Sequence, residues 1–269
     1  MLKTTFRNVC KALVPYGIIW FFQRKKREME WEKEKEKGQG LQFRLINRKL
    51  LSNVYGQFAE DLLLRLLYEK SPDYKGFYVD IGAFHPVIHS NTHYFYQTGW
   101  RGINIDANPH SIQELNKERK RDINVESGVS DQYGELEYYF FDDLDSRNSF
   151  DKKTVEEFEK NQDGTKIKEV KKIKVQPINA ILEEYLPKGQ HIDFMTIDVE
   201  GLELKILKSL DFSKYSPDYF LLEDLEFAKK GFEEINKSPL SCFLKEKGYE
   251  PIAVARDTTL LYRRLSNVV

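Results

Sequence analysis

Four acidic residues, Asp80, Asp106, Asp198 and Glu223, each stand at the carboxyl end of a short apolar run that reads as a β-strand. A carboxylate at a strand tip costs desolvation unless something binds it, so four converging on one crevice point to a ligand. The bland reading of any one of them is a loop or helix cap. Asp106 follows Asp80 by about 26 residues, near the position where a doubly wound fold uses an acid to bind ribose hydroxyls. A nucleoside is therefore the leading ligand class.

The loop after the first run, Asp80-Ile81-Gly82-Ala83-Phe84-His85-Pro86, carries a single glycine in place of GxGxxG. A pyrophosphate needs the further glycines to approach a helix amino terminus, which argues against NAD. S-adenosylmethionine (SAM) has no phosphate, needs one close backbone approach and still uses the ribose-binding acid. The loop suits SAM better.

The elements that must position these residues follow from periodicity. Phe58, Leu62, Leu63, Leu66 and Leu67 recur at helical spacing, and strand and helix patterns then alternate. Strands are predicted over residues 76–81, 102–106, 123–129, 136–141, 172–175, 191–198 and 219–224, with helices after Asn108-Pro109 and over 178–186 and 202–210. Residues 142–171 are polar without a clean period and read as an inserted loop or lid. Residues 249–255 and 258–263 flank Arg256-Asp257 as a closing antiparallel hairpin. The pattern implies a doubly wound α/β sheet whose ligands bind at the carboxyl ends of the strands.

The 269 residues suit one elaborated domain plus an appendage, divided here as an arm over residues 1–40 and a catalytic domain over 41–269. A composition 41% hydrophobic and 32% charged excludes disorder along the whole chain, and a net charge of −1 lacks the footprint of a nucleic-acid binder. The two cysteines, Cys10 and Cys242, form neither a disulfide framework nor a cysteine zinc site, which suits a reducing compartment. No GxSxG, Walker sequence or paired CxxC is present.

In the arm, residues 2–14 form a basic amphipathic helix pattern; Pro15 and Gly17 break it, and Ile18-Ile19-Trp20-Phe21-Phe22 leads into Arg24-Lys25-Lys26-Arg27. The apolar run is too short to span a bilayer and no small-residue cleavage site follows it. Two readings stay open: residues 1–27 lie on an anionic membrane surface, or they dock on this protein's own core. The Glu/Lys alternation of residues 28–37 reads as a solvated helical spacer.

An ordered set of motifs resembles the FkbM family of SAM-dependent methyltransferases. It comprises Gln57 with Glu60-Asp61, Val79-Asp80-Ile81-Gly82-Ala83, Ser90-Asn91-Thr92, Gly99-Trp100-Arg101-Gly102, Asp106-Ala107-Asn108-Pro109 and Ile197-Asp198-Val199-Glu200-Gly201, within residues 52–265. The resemblance implies a Rossmann-like, seven-stranded class I methyltransferase core. It implies Asp80, Gly82 and Ala83 near the methionyl group, Asp106 with Ala107 at the ribose, and Gly128 and Val129 of Glu126-Ser127-Gly128-Val129 along the adenine. It also implies O-methylation, and the His-Pro, Ser-Asn-Thr and Gly-Trp-Arg-Gly variant is similar to members associated with bacterial surface polysaccharide, so a sugar or glycolipid hydroxyl is the expected acceptor. A cytoplasmic enzyme working at the inner face of the membrane follows from that expectation. A non-sugar metabolite acceptor and a non-catalytic nucleoside-binding module are the alternatives.

Transfer to a sugar hydroxyl needs alignment and a base, for which Asp198, Glu200, His85, His89 and His93 are candidates. Asp198, Glu223 and Asp224 supply hard oxygen ligands at adjacent strand ends and are the expected site for Mg²⁺, although Glu223-Asp224 also suits a cap. His85, His89 and His93 stand at i, i+4 and i+8, but Pro86 keeps His85 off the following helix, which weakens a zinc stripe.

Overall fold

The structure, a computed structural model, describes residues 54–69, 71, 73–143, 145–161, 166–224, 232–255 and 258–265. The arm over residues 1–40 and the hairpin turn at Arg256-Asp257 lie outside the described residues.

Strand β1 (Phe77–Ile81) shows how the sheet builds itself. With side chains alternating between faces, Phe77, Val79 and Ile81 enter one core while Tyr78 enters another. The parallel neighbours β2 (Arg101–Asp106), β3 (Ile123–Glu126), β7 (Phe194–Ile197) and β8 (Tyr219–Glu223) continue both layers. Ile103, Ile105, Met195, Ile197, Phe220 and Leu222 join the first core. Phe194 and Leu221 join the second. Antiparallel strands β9 (Tyr249–Ala255) and β10 (Thr259–Arg264) complete the seven-stranded sheet in the order β3-β2-β1-β7-β8-β10-β9. The order reverses between β1 and β7, which opens a crevice at their carboxyl ends.

Helices cover both faces. The first core packs under α5 (Ile178–Tyr185), α6 (Glu203–Ser209) and α7 (Pro239–Glu246), which bury Ile181, Leu207 and Leu244. The second packs under α1 (Glu60–Tyr68) and α2 (His93–Gln97), which bury Leu64 and Phe95. Helix α3 (Pro109–Glu118) begins at Asn108, whose side chain accepts from the His110 amide.

Three expected elements are corrected. The strand expected over 123–129 breaks at Ser127: β3 stays in the main sheet, while β4 (Gly128–Ser130) leaves it for a second sheet in the order β4-β6-β5. That sheet contains β5 (Gly134–Phe140) and a nine-residue β6 (Glu169–Pro177), longer than its apolar pattern indicated because it is largely exposed. The span 142–171 holds α4 (Lys152–Asn161) besides loop, with Val155 buried against Tyr139 and Phe141. Only Val155 and Phe158 of its ten residues are apolar, so the span reads as polar in sequence.

Candidate active site

The carboxyl ends of β1, β2 and β7 frame a crevice of about 540 Å³ closed on its other side by β4 and the loop before α4. Gly82, Asp106, Ala107, Gly128, Val129 and Asp198 all line it. Ile81, Ile105, Tyr138 and Phe150 add flat apolar surface between the polar groups. An acid able to take ribose hydroxyls beside apolar walls able to flank a base suits a nucleoside.

Gly82 is required by backbone geometry. It has φ +81°, and a Cβ there would lie 1.8 Å from the Asp198 carbonyl oxygen. The amides of Gly82 and Ala83 both donate to the Ile105 carbonyl, at 2.9 and 3.2 Å. They are thus spent on holding β1's loop to β2, and no helix begins until His93. At the loop after β1 a pyrophosphate would find neither free Gly82 and Ala83 amides nor a helix amino terminus, whereas a phosphate-free nucleoside needs neither.

Asp106 sits on the crevice floor with 7% exposure. Its two carboxylate oxygens accept from the Phe84 and Asn108 amides at 2.8 and 2.7 Å. Each oxygen keeps a second lone pair, so a ribose diol can still donate to it. Burial raises this carboxyl to about 6, against the pull of those amides.

Asp80 and Ala83, expected beside the methionyl group, are not among the residues that line the crevice. Asp80 lies behind the loop, where its Oδ2 accepts from the Thr92 hydroxyl at 2.8 Å, and burial raises its carboxyl to about 7. Ala83 is buried with Ile112 and Leu115. Behind Asp80, the buried Arg119 donates to the Pro86 carbonyl, the Tyr78 hydroxyl, Ser90 Oγ and Thr92 Oγ1. The Ser90-Asn91-Thr92 motif is therefore largely a brace for the loop, although Asn91 itself faces the cavity described next.

A second cavity of about 420 Å³ adjoins the crevice and shares Gly82, Phe84, Ser146 and Asp198 with it. Its remaining walls come from Gln57, Glu60, His89, Asn91 and Glu200. Asp198 remains open to solvent there, yet enough protein surrounds its carboxylate to raise its pKa, and nearby Glu60 raises it further. Glu200 is raised by burial and by the negative charges of Asp198 and Glu203.

The Asp198-Val199-Glu200-Gly201 turn has left-handed backbone at Glu200 (φ 57°) and Gly201 (φ 115°). Ser149 Oγ donates to the Glu200 carbonyl at 3.1 Å, and the carboxylate of Glu203 accepts from the Val199 and Gly201 amides. Sequence reasoning missed Glu203; an acid opening a helix just after a glycine was its only signal. It missed Tyr138, Asp145, Ser146, Asn148 and Phe150 as well, because they lie in or beside a segment without a period.

His85, expected as a candidate base, is not among the residues that line either cavity. Its Nδ1 accepts from the Val87 and Ile88 amides, both at 3.0 Å, so the turn after Pro86 uses its lone pair. Burial lowers His89, which lines the second cavity, and holds His93 near 4. The three rings form no metal group among the described residues.

For a cation, the structure brings together Asp198, Glu203 and Glu223, with one oxygen of each within 4.8 Å of the others. Glu223 Oε2 is buried without a hydrogen-bond partner, and burial beside Asp198 and Glu200 raises its carboxyl. Asp224 is not in that group: it is buried, and its amide donates to the Thr258 carbonyl at 2.7 Å. Consecutive residues leaving a strand point to opposite sides, so the expected Glu223-Asp224 pair is split.

Five parallel strands, a closing antiparallel hairpin and a crevice at the switch point define a Rossmann-like fold of the class I methyltransferase type. The chain belongs to the FkbM methyltransferase family, whose domain matches residues 80–251. No curated protein matches the chain. Among solved structures it is similar to the T. thermophilus 16S rRNA N2 G1207 methyltransferase RsmC in complex with AdoMet and guanosine. Identity is 13% and the TM-score 0.38, with 77% of this chain and 43% of that chain covered. The present chain thus spans less than half the length of that structure.

Proposed function

We propose that this protein transfers a methyl group from SAM to a hydroxyl of a sugar in a bacterial surface polysaccharide or glycolipid. The observation that carries the reading is the meeting of two cavities at Asp198: a crevice floored by Asp106 with apolar walls, and a polar chamber beyond it. Family membership supports SAM as donor.

SAM supplies an electrophilic methyl on a sulfonium sulfur; the acceptor oxygen forms the new O–C bond, the C–S pair returns to sulfur, and the hydroxyl proton must leave. Asp106 holds the ribose diol through its remaining lone pairs, and Gly128 and Val129 flank the base. Asp198, at the junction, takes the hydroxyl proton, since a carboxyl raised above its ordinary value is a better base than a solvated one. Gly82 and Ser149 hold that carboxylate in place through the backbone of its turn. Asp198, Glu203 and Glu223 are also a hard oxygen set that would hold Mg²⁺, which would polarise the acceptor hydroxyl in place of the base role of Asp198.

The polar chamber favours a sugar over an apolar metabolite. No described helix is long and apolar enough to cross a membrane. The basic and aromatic residues of 1–27 would bring the enzyme to lipid-linked acceptors at the cytoplasmic face.

The test is isothermal titration of the full chain with SAM and, separately, NAD, repeated on Asp106→Ala. Losing charge-assisted hydrogen bonds to the ribose costs about 1.5–3 kcal/mol, so SAM affinity falls roughly 10- to 100-fold while NAD shows no binding to either protein. No SAM binding by folded wild type, or equal affinity in the variant, refutes the assignment.

A further inference from the structure

The methyl group must be delivered at the junction of the two cavities, so the acceptor occupies the second one. Part of that cavity's wall comes from outside the family-matched residues 80–251: Gln57 lies in the turn that precedes α1, and Glu60 is the first residue of α1. The turn is built to present them. Asp61 accepts from the Tyr55 and Gly56 amides and pairs with Arg65 at 3.3 Å, with both side chains almost wholly buried. The Arg65 guanidinium in turn lies 3.9 Å from the centre of the Tyr94 ring. Glu60 Oε2 accepts from the Phe58 amide at 2.7 Å, and a Cβ at Gly56 would come within 2.6 Å of that oxygen. The carboxylate is therefore fixed at the cavity wall by a turn that closes around it.

Three carboxyl groups, Glu60, Asp198 and Glu200, line the cavity beside the Gln57 amide, the Ser146 hydroxyl and the His89 ring, and no Lys or Arg is among its described lining residues. Asn91 adds a buried Oδ1 with no partner, while its amide nitrogen is turned to Thr196 Oγ1 at 3.4 Å. Arg147, the guanidinium close to Glu200, is engaged by Asp145. A ligand that donates hydrogen bonds satisfies Asn91 Oδ1, and an anionic ligand brings further negative charge to three carboxyl groups with no Lys or Arg in the described lining.

Resting on the methyl-transfer reading above, we propose that Gln57 and Glu60 form the acceptor-binding wall and select a hydroxyl-rich acceptor that is neutral or cationic over an anionic one. Specificity of this kind comes largely from the repulsive element. The acceptor class is then a neutral or amino sugar, and a uronic acid or phosphorylated sugar is rejected.

Three probes on one scaffold test this without turnover: methyl α-glucoside, methyl α-glucosaminide and methyl α-glucuronide, each titrated by saturation-transfer NMR into the full chain holding S-adenosylhomocysteine. The glucoside and glucosaminide are expected to bind at least about tenfold tighter than the glucuronide. Glu60→Gln, which keeps the bond from the Phe58 amide, should narrow that ratio to within about threefold while S-adenosylhomocysteine affinity stays within about twofold. Gln57 is exposed, so Gln57→Lys offers a variant with little folding risk, and it should raise glucuronide affinity about fivefold or more. Equal binding of the three probes to wild type, binding of none of them, or an unchanged ratio in both variants overturns the proposal. Failure of wild type to bind S-adenosylhomocysteine at all refutes the methyl-transfer reading instead, which keeps the two failures distinct.

Discussion

Replacing Gly82 with alanine tests the claim that this loop is glycine for backbone reasons rather than for ligand access alone. The added Cβ would sit 1.8 Å from the Asp198 carbonyl oxygen, where real contacts essentially never fall below 3.0 Å, so backbone must move by at least about 1.2 Å. The φ of +81° adds the left-handed penalty of an L-residue, roughly 1–2 kcal/mol. Overpacking against main chain adds about 1–3 kcal/mol, so the variant should lose roughly 2–5 kcal/mol, a large share of a stability of order 5–15 kcal/mol. Because the atom displaced belongs to Asp198, any folded fraction should also methylate more slowly by on the order of 100-fold, the usual cost of a misplacement near 1 Å. Urea denaturation gives the first quantity. Gly134→Ala is the control, since nothing lies within 4 Å of its new Cβ; its stability should change by less than about 0.5 kcal/mol. A Gly82→Ala protein as stable as the control would refute the reasoning.

Three further outcomes follow from the same geometry. Arg119→Ala should cost about 3–5 kcal/mol by urea denaturation, because it leaves buried Asp122 without its cation and frees Ser90 and Thr92 behind the loop; Arg119→Lys should recover less than half, and full recovery would show that charge alone suffices. Asp80 at about 7 and Asp106 at about 6 are raised from 3.8, so between about pH 4 and 7 the folded protein keeps protons that the unfolded chain has released. Stability is therefore fullest below that window and falls as pH rises through it, by up to about 4 kcal/mol for Asp80. The melting temperature of the ligand-free protein should be higher at pH 5 than at pH 8, and a flat or opposite profile contradicts the assignment. Mg²⁺ added after EDTA treatment should raise the melting temperature of wild type and Asp224→Asn but not of Glu223→Gln, whereas no shift in wild type removes the metal.

Much of the fold was legible because its parallel strands are buried on both faces. Runs such as Phe77-Tyr78-Val79 and Phe194-Met195-Thr196-Ile197 are continuous in apolar character, and that alone fixed their order of alternation with helices. The acids closing those runs were visible for the same reason, as the first polar groups past a buried strand. Their individual roles were not. Whether Asp106 faces the crevice and Asp80 the loop behind it depends on what approaches each carboxylate: Phe84 and Asn108 amides in one case, the Thr92 hydroxyl in the other.

The amino-acid sequence by itself determined the alternation of strands with helices and the single-glycine loop, because these rest on local period and on one residue's backbone freedom; the order of the strands, and so the switch point, rests on pairing between distant segments. Only tertiary structure decided which side chains share a cavity. Gln57 and Glu60 reach Asp198 across more than a hundred residues of chain, Glu203 rather than Asp224 joins Glu223, and His85 turns to its own loop. Such choices follow from strand parity, from where a helix starts and from which amides lie unpaired nearby, and none of these leaves a period in the sequence.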